Sequence, residues 1–272
     1  MPDPLPAELA RALAAARPRL GPFSRVEYFA EVGSTNDLAL ARATAGAPHG
    51  LVILTDCQHT GRGRQGRDWF SPPGAGVYLS ALVRPDTWGG ALSLVTLAAG
   101  VAVARGLTAA TGLALELKWP NDVVIGRPWR KLAGILCETA SVGSRVEAVV
   151  IGMGVNVRRG AFPPALADRA TALELETDRQ VDAPACAIEV LAALADVVDR
   201  IGASDGVAIV EAWRRFGRAG LGGATVRWND QHGARSGTAR DVDENGALVV
   251  ESDGRLERLV AGEVSWDRIN RD

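Results

Sequence analysis

Residues 58–76 contain five glycines and the pair Pro72-Pro73, a density at which neither a helix nor a strand ladder is expected to persist. The segment reads as a long exposed loop between a strand over residues 51–57 and a strand that resumes at Val77. Within it, Gly61-Arg62-Gly63-Arg64-Gln65-Gly66 satisfies the G-x-G-x-x-G pattern, and Asp86 stands near the offset of a ribose-binding acid. A dinucleotide-binding unit, however, needs a helix opening at the third glycine and a crossover of roughly a dozen residues before the next parallel strand. Only residues 67–76 intervene, and their prolines and glycines cannot build that helix. A Rossmann fold is excluded.

The same loop carries Arg62, Arg64 and Arg67 within six positions, whereas the 272-residue chain sets 30 Lys+Arg against 32 Asp+Glu, a net charge of −2. No bulk basic field exists for gripping nucleic acid or an anionic membrane, so the local excess points to a small anionic ligand. Glycine lets backbone approach a phosphate closely, and guanidinium groups bind phosphate or carboxylate through paired hydrogen bonds. A solvated Arg/Gly surface loop is the alternative. Trp69-Phe70 weighs against it, because two aromatics are costly to expose on a mobile loop unless they close over something.

Around this loop the pattern is α+β. Helical spacing over residues 7–17 stops before Pro18; strand formers fill residues 25–32; Gly33-Ser34-Thr35-Asn36 offers caps to an Ala-rich helix reaching about Ala45. Residues 91–111 read as the main buried helix. The apolar stretches 115–119 with 123–125, 132–138 and 146–155 read as adjacent antiparallel strands. Helices follow over 184–201, with Pro184 in a first turn, and over 207–216. After Gly217 the composition changes to short strands at 225–228, 237–242, 247–251 and 255–260, with turns such as Glu244-Asn245-Gly246. The expected organisation is a mixed/antiparallel sheet flanked by helices over residues 1–220 and a small all-β domain over 221–272.

The apolar run 91–104 falls short of the roughly 20 residues a bilayer needs, so a core helix is expected rather than a membrane span. Met-Pro-Asp-Pro-Leu-Pro lacks a secretory signal pattern, which makes a cytoplasmic location the expectation. Cys57, Cys137 and Cys186 show no paired spacing and read as small buried hydrophobes rather than disulfides or thiolate ligands.

A second constellation, Lys118-Trp119-Pro120-Asn121-Asp122, joins two strands and by turn chemistry alone is a tight turn. Arg130-Lys131-Leu132-Ala133-Gly134-Ile135-Leu136 then places Lys131 at a strand mouth, either as a surface lysine beside a hairpin or as a functional cation. Gly152-Met153-Gly154-Val155-Asn156 ends the following strand and is weak alone.

Taken in order with Gly33-Ser34-Thr35-Asn36 and the stretch from Gln58 to Arg67, these segments resemble the biotin protein ligases. The resemblance runs from about Arg25 to Asn156, and the closing Gly262-Glu263-Val264-Ser265 resembles that family's carboxy-terminal module. It implies a biotin/lipoate ligase-like catalytic domain with a small SH3-like β-barrel. It also implies a two-step reaction: biotin and ATP, with Mg2+, give biotinyl-5′-adenylate and diphosphate, then a lysine of a biotin carrier domain of a biotin-dependent carboxylase takes the biotinyl group. By the same resemblance Ser34, Thr35, Asn36 and Gln58 meet the biotin head group, Gly61, Arg62, Gly63 and Arg64 cover the ligand, and Gly134 borders the biotin. Lys131 bridges carboxylate and phosphate as a catalytic residue together with Arg64, while Arg67, Trp69, Asn121 and Asn156 join Arg64 and Lys131 around the nucleotide. Magnesium is expected with the ATP phosphates, Asp122 being the one acid near enough to help.

The residue types make separate chemical sense. A ureido ring presents one carbonyl acceptor and two N–H donors, which hydroxyls and amides complement, and its valeryl chain needs an apolar wall. Ser34 and Thr35 are equally suited to capping the helix. Larger members resembling this chain carry a winged-helix domain before the catalytic part; here Ser34 follows one short helix, so no specific DNA binding is expected. A lipoate or octanoate ligase is the nearest rival, with less use for Ser34, Asn36 and Gln58, and a non-catalytic nucleic-acid-binding module is the rival from another class. A homodimer is compatible with the sequence.

Overall fold

The computed structural model describes residues 1–85, 89–203, 205–231, 233–260 and 264–266, so Asp86, Gly262 and Glu263 lie outside the described residues. Seven strands form the main sheet: β1 (Arg25–Phe29), β2 (Leu51–Thr55), β3 (Gly76–Val83), β4 (Glu116–Lys118), β5 (Asp122–Ile125), β6 (Arg130–Val142) and β7 (Arg145–Asn156). Their spatial order is β1-β2-β3-β7-β6-β5-β4. Only β1 and β2 run parallel; every other neighbouring pair is antiparallel. The parallel pair requires a crossover, supplied by helix α2 (Thr35–Thr44).

The helices α1 (Ala7–Ala16), α3 (Val95–Thr111), α4 (Leu173–Thr177), α5 (Ala183–Gly202) and α6 (Gly206–Leu221) complete this part of the chain. Side chains alternate across the sheet and give it two cores. Val52, Val77, Leu79 and Ala81 face the larger one, shared with α1, α3, α5 and α6. Leu51, Ile53 and Leu82 face the smaller one, with Ala39 and Ala43 of α2. Ser80, between Leu79 and Ala81, thereby points to the α2 side with Leu82. Three of the helix starts are capped by side chains: at α2 Ser34 Oγ accepts from Asp37 N, at α5 Asp182 Oδ1 from Ala185 N at 3.0 Å, and at α6 Asp205 Oδ1 from Ala208 N.

Helix α3 ends at Gly112 with φ 78° and is buried over most of its surface, including Leu97 and Leu107. Gly106 brings it against α5 so closely that a Cβ there would lie 2.6 Å from the Val190 Cα. The apolar run is longer than expected from residues 91–104: residues Leu92–Thr111 span 20 residues with mean hydropathy 1.6, enough by length and composition to cross a membrane. Two-thirds of that window is buried in this fold, as a core helix requires.

Five short strands, β8 (Thr225–Asp230), β9 (Gly233–Val242), β10 (Leu248–Ser252), β11 (Arg255–Leu259) and β12 (Ser265–Trp266), form an antiparallel sheet ordered β11-β10-β9-β8-β12. It is tied to the main part at specific points. Arg214 of α6 holds Asp241 through two bonds of 2.8 Å and donates a third to Val242 O. Trp119, 2 % exposed, donates from Nε1 to Gly246 O at 2.9 Å, and its own carbonyl accepts from Trp266 Nε1 at 3.1 Å.

Candidate active site

A cavity of about 590 Å³ opens at the carboxyl ends of β1 and β2 and runs over β6 and β7 toward the carboxy-terminal sheet. Ser34, Thr35, Asn36 and Gln58 line one end; Arg62, Gly63, Arg64, Arg67 and Trp69 come over it from the glycine-rich segment; Asn121, Asp122, Lys131, Gly134 and Asn156 line the rest. Of the site residues expected from sequence, Gly61 alone does not line it. Gly61 sits behind the wall, where a Cβ would come 2.5 Å from Trp69 O and 2.9 Å from Ser71 Oγ.

The polar end is one hydrogen-bonded cluster built around the start of α2. Gln58 Oε1 accepts from Thr35 N at 2.9 Å and contacts Thr35 Oγ1 at 3.1 Å, and its Nε2 donates to Ser71 Oγ at 2.9 Å. Asn36 Nδ2 donates to Leu136 O at 3.2 Å and to Glu138 Oε2 at 2.7 Å, and its Oδ1 accepts from Ser80 Oγ at 2.6 Å. Asn36, read as a head-group contact from sequence, therefore has both amide hydrogens engaged inside the protein. The expected capping role of Ser34 is present at the same time.

Residues 58–76 are more ordered than their composition predicts. No strand ladder persists there, as expected, but isolated bridges at Gln58–Ser71 and Arg62–Asp68 draw the segment into a narrow hairpin: Gly63 N donates to Arg67 O at 2.7 Å, Trp69 N to Gly61 O at 2.8 Å, and Gln58 N to Ser71 O at 3.1 Å. A 3₁₀ turn over Arg64–Gly66 forms the tip, with Gln65 and Gly66 at positive φ. Gly61 lets the two arms meet where a side chain would collide with Trp69 O. The aromatics also part company. Phe70 is 49 % exposed, while the Trp69 indole lies on the sheet over Gly134 and Gly154, which are paired across β6 and β7. A Cβ at Gly154 would sit 2.5 Å from Trp69 Nε1, and one at Gly152 would collide with the Asn36 amide. The alternating glycines of β7 thus carve the trough that these two side chains occupy. Trp69 Nε1 is buried there with no hydrogen-bond partner.

The cationic end gathers around Asp122. Its carboxylate lies 2.6 Å from Lys131 Nζ and 2.9 Å from Lys118 Nζ. Burial alone would raise this carboxyl, but the charges and hydrogen bonds of Lys131 and Lys118 override it and hold the group well below the ordinary carboxylate range. Asp122 thus pairs with two lysines, and no group of three or more His, Cys, Asp and Glu side chains that could by itself hold a metal occurs among the described residues. Lys131 Nζ also lies 5.2 Å from the centre of the Trp69 ring. Its backbone is fixed by bonds to Arg169 O and from Thr171 N. Arg64 reaches toward Asn121 Oδ1 at 3.4 Å, and burial lowers its guanidinium from the ordinary value without discharging it. Asn121 Nδ2 donates to Ile135 O and Asn156 Nδ2 to Thr171 O, which fixes both amides at the cavity wall. Arg62 is turned outward to Asp37 and Glu138.

Several contributors had no signal in the sequence. Ser80 and Glu138 meet Asn36 only through the pairing of β3, β7 and β6, and Phe162, Leu166, Asp168, Arg169 and Ala170 close the far wall from an irregular segment. Trp129 and Trp266, ring centres 5.8 Å apart, border the opening beside the carboxy-terminal sheet.

Comparison with known proteins follows this geometry. Residues 28–156 match the family described as biotin/lipoate A/B protein ligase, and residues 222–266 match the biotin protein ligase C-terminal domain. The chain is 34 % identical over 256 residues to a biotin–[acetyl-CoA-carboxylase] ligase of Paracoccus denitrificans, covering 86 % of this chain and 98 % of that one. It is 36 % identical over 263 residues to a protein of the same name from Mycobacterium tuberculosis, covering 88 % of each. Among solved structures, the biotin protein ligase from Aquifex aeolicus in complex with biotin and ATP superposes with a TM-score of 0.78 at 26 % identity, over 91 % of this chain and 100 % of that one.

Proposed function

The chain belongs to the biotin protein ligase family, and on that premise we propose that its cleft joins biotin to ATP and passes the biotinyl group to a lysine of a carboxylase's biotin carrier domain. In the first step a biotin carboxylate oxygen attacks the α-phosphorus and diphosphate leaves. In the second, the lysine amine attacks the acyl carbon, an amide bond forms and AMP leaves. Each step brings two anions together and then has to neutralise charge growing at the phosphate or acyl oxygen. Mg2+ enters with the ATP phosphates as part of that substrate.

The observation that carries this reading is the continuity of one cavity from the amide and hydroxyl cluster at Thr35 and Gln58 to the ammonium of Lys131. A cyclic urea suits the first end and a carboxylate facing a triphosphate suits the second. In this assignment Ser34, Thr35 and Gln58 receive the head group, with Asn36 behind them, and Gly134 lies along the biotin. Lys131 and Arg64 neutralise the reacting carboxylate and phosphate. Arg62 and Gly63 belong to the covering hairpin. Arg67, Trp69, Asn121 and Asn156 surround the nucleotide. Closure of the hairpin would shield a water-sensitive mixed anhydride. We place the division into domains at residues 220/221 and the protein in the cytoplasm; a two-fold dimer is compatible with this reading.

Incubation with biotin, Mg-ATP and a carrier domain, followed by intact mass, tests the assignment. The expected result is one biotinyl group on the carrier; an unmodified carrier with diphosphate unreleased refutes it. Substituting lipoate or octanoate in the same assay separates the nearest rival: the polar end should leave either acid a poor substrate.

A further inference from the structure

We propose that Glu138 and Ser80, neither of which touches the ligand in the reading above, are positioning residues that fix the hydrogen-bond polarity of the head-group end. This rests on the assignment of that end to a cyclic urea. Asn36 Nδ2 donates to Leu136 O and to the Glu138 carboxylate, and neither acceptor carries a hydrogen, so the amide cannot be reversed. Asn36 Oδ1 therefore faces Ser80 Oγ at 2.6 Å, and that contact is a hydrogen bond only with Ser80 donating. Ser80, fully buried, has no second hydrogen for Thr35 Oγ1 at 2.8 Å. The one hydroxyl hydrogen of Thr35 then goes inward, to Ser80 Oγ or to Gln58 Oε1 at 3.1 Å. What Thr35 Oγ1 turns to the cavity is a lone pair.

The neighbouring amide is set from the other side. Thr35 N can only donate, so Gln58 Oε1 faces it at 2.9 Å. Gln58 Nε2 gives one hydrogen to Ser71 Oγ, whose own hydrogen goes to Trp69 O at 3.2 Å, and the second remains for the cavity. An acceptor at Thr35 beside a donor at Gln58 is the complement of an N–H beside a carbonyl. The order of donors and acceptors begins at the negative charge of Glu138 on β6 and reaches the ligand through α2 and β3. Polarity of this kind discriminates because a mismatched ligand leaves a buried lone pair without a hydrogen.

The test compares biotin with its two cyclic carbamate analogues, in each of which one ring N–H is replaced by oxygen, by calorimetry on the full chain. The wild type is expected to favour biotin over one carbamate by about a hundredfold, and Ser80→Ala and Glu138→Gln to shrink that ratio by about tenfold. A role of Glu138 confined to holding Arg62 would weaken all three ligands alike and leave the ratio unchanged. An unchanged ratio in both variants, or a wild type that binds biotin and both carbamates equally, overturns the proposal. Should the wild type bind no biotin at all, the assignment of the site falls first, and the relay with it. Glu138→Gln is nearly isosteric at a side chain 30 % exposed, so it keeps the test decisive if Ser80→Ala does not fold.

Discussion

The carboxylate of Asp122 grips the ammonium of Lys131 at 2.6 Å while also holding Lys118 at 2.9 Å, so one buried acid orients two cations at the mouth of β6. Lysine is a flexible point charge, and an anchored anion beneath it fixes where that charge stands. Asp122→Asn should leave biotin affinity within about threefold and slow adenylate formation by about tenfold or more, measured as diphosphate release in single turnover. It should also destabilise the fold by about 1–3 kcal/mol, since two like charges lose their shared partner.

Lys131→Ala should keep biotin bound and slow the same step by about a hundredfold, the scale for removing one preorganised charge. Near-normal turnover would show that the reacting charge is neutralised elsewhere.

Arg64→Ala should open the tip of the hairpin over the cavity. Adenylate would then escape and modify lysines on bystander proteins. The measurement is biotinylation of an added unrelated protein relative to the carrier; a constant ratio would remove Arg64 from any retaining role.

Gly154→Ala places a methyl group 2.5 Å from Trp69 Nε1 and must displace the indole from the sheet. ATP affinity is expected to fall by about tenfold, with a smaller change for biotin. Protection of the hairpin amides in hydrogen exchange should drop with it. Unchanged ATP binding would separate the indole from the nucleotide.

Alkaline stability should turn on Tyr28. Burial, together with the hydrogen bond its hydroxyl donates to Asp56 at 2.6 Å, raises the phenol from 10.0 to about 12. The neutral form is favoured in the folded state, so this contribution is complete below pH 10 and is lost as pH rises toward 12, to a total of about 3 kcal/mol. Tyr28→Phe should flatten that part of the stability profile in urea titrations between pH 9 and about 12.

The order of strands around Lys118–Asp122, Arg130–Leu136 and Gly152–Asn156 was legible because apolar period and turn residues are local signals, and so was the convergence of their polar residues. The hairpin inside residues 58–76 was not. Its composition forbids long regular elements, yet Gly61 permits a two-arm approach that only the folded backbone reveals. Trp69 and Phe70 are adjacent in sequence and opposite in fate, because only one of them meets the glycine trough of β6 and β7. Ser80 read as an unremarkable strand residue, and Glu138 as a strand end. Each acquires its meaning from a partner on another element, Asn36, brought near by sheet register. Asp122 was legible as an acid near the site, but not as one already neutralised by lysines on either side of it.

Trp119, in the turn that leads into Asp122, has its indole seated on Gly246 and its carbonyl capped by Trp266. The two ends of the trough therefore answer to different lengths of chain. In the proposed assignment the head-group end, at Thr35 and Gln58, is braced wholly by material before Asn156, whereas the end near Lys118 and Asp122 leans on a buttress contributed by Gly246 and Trp266. Damage to that buttress should yield a protein that still captures the vitamin and no longer ignites it.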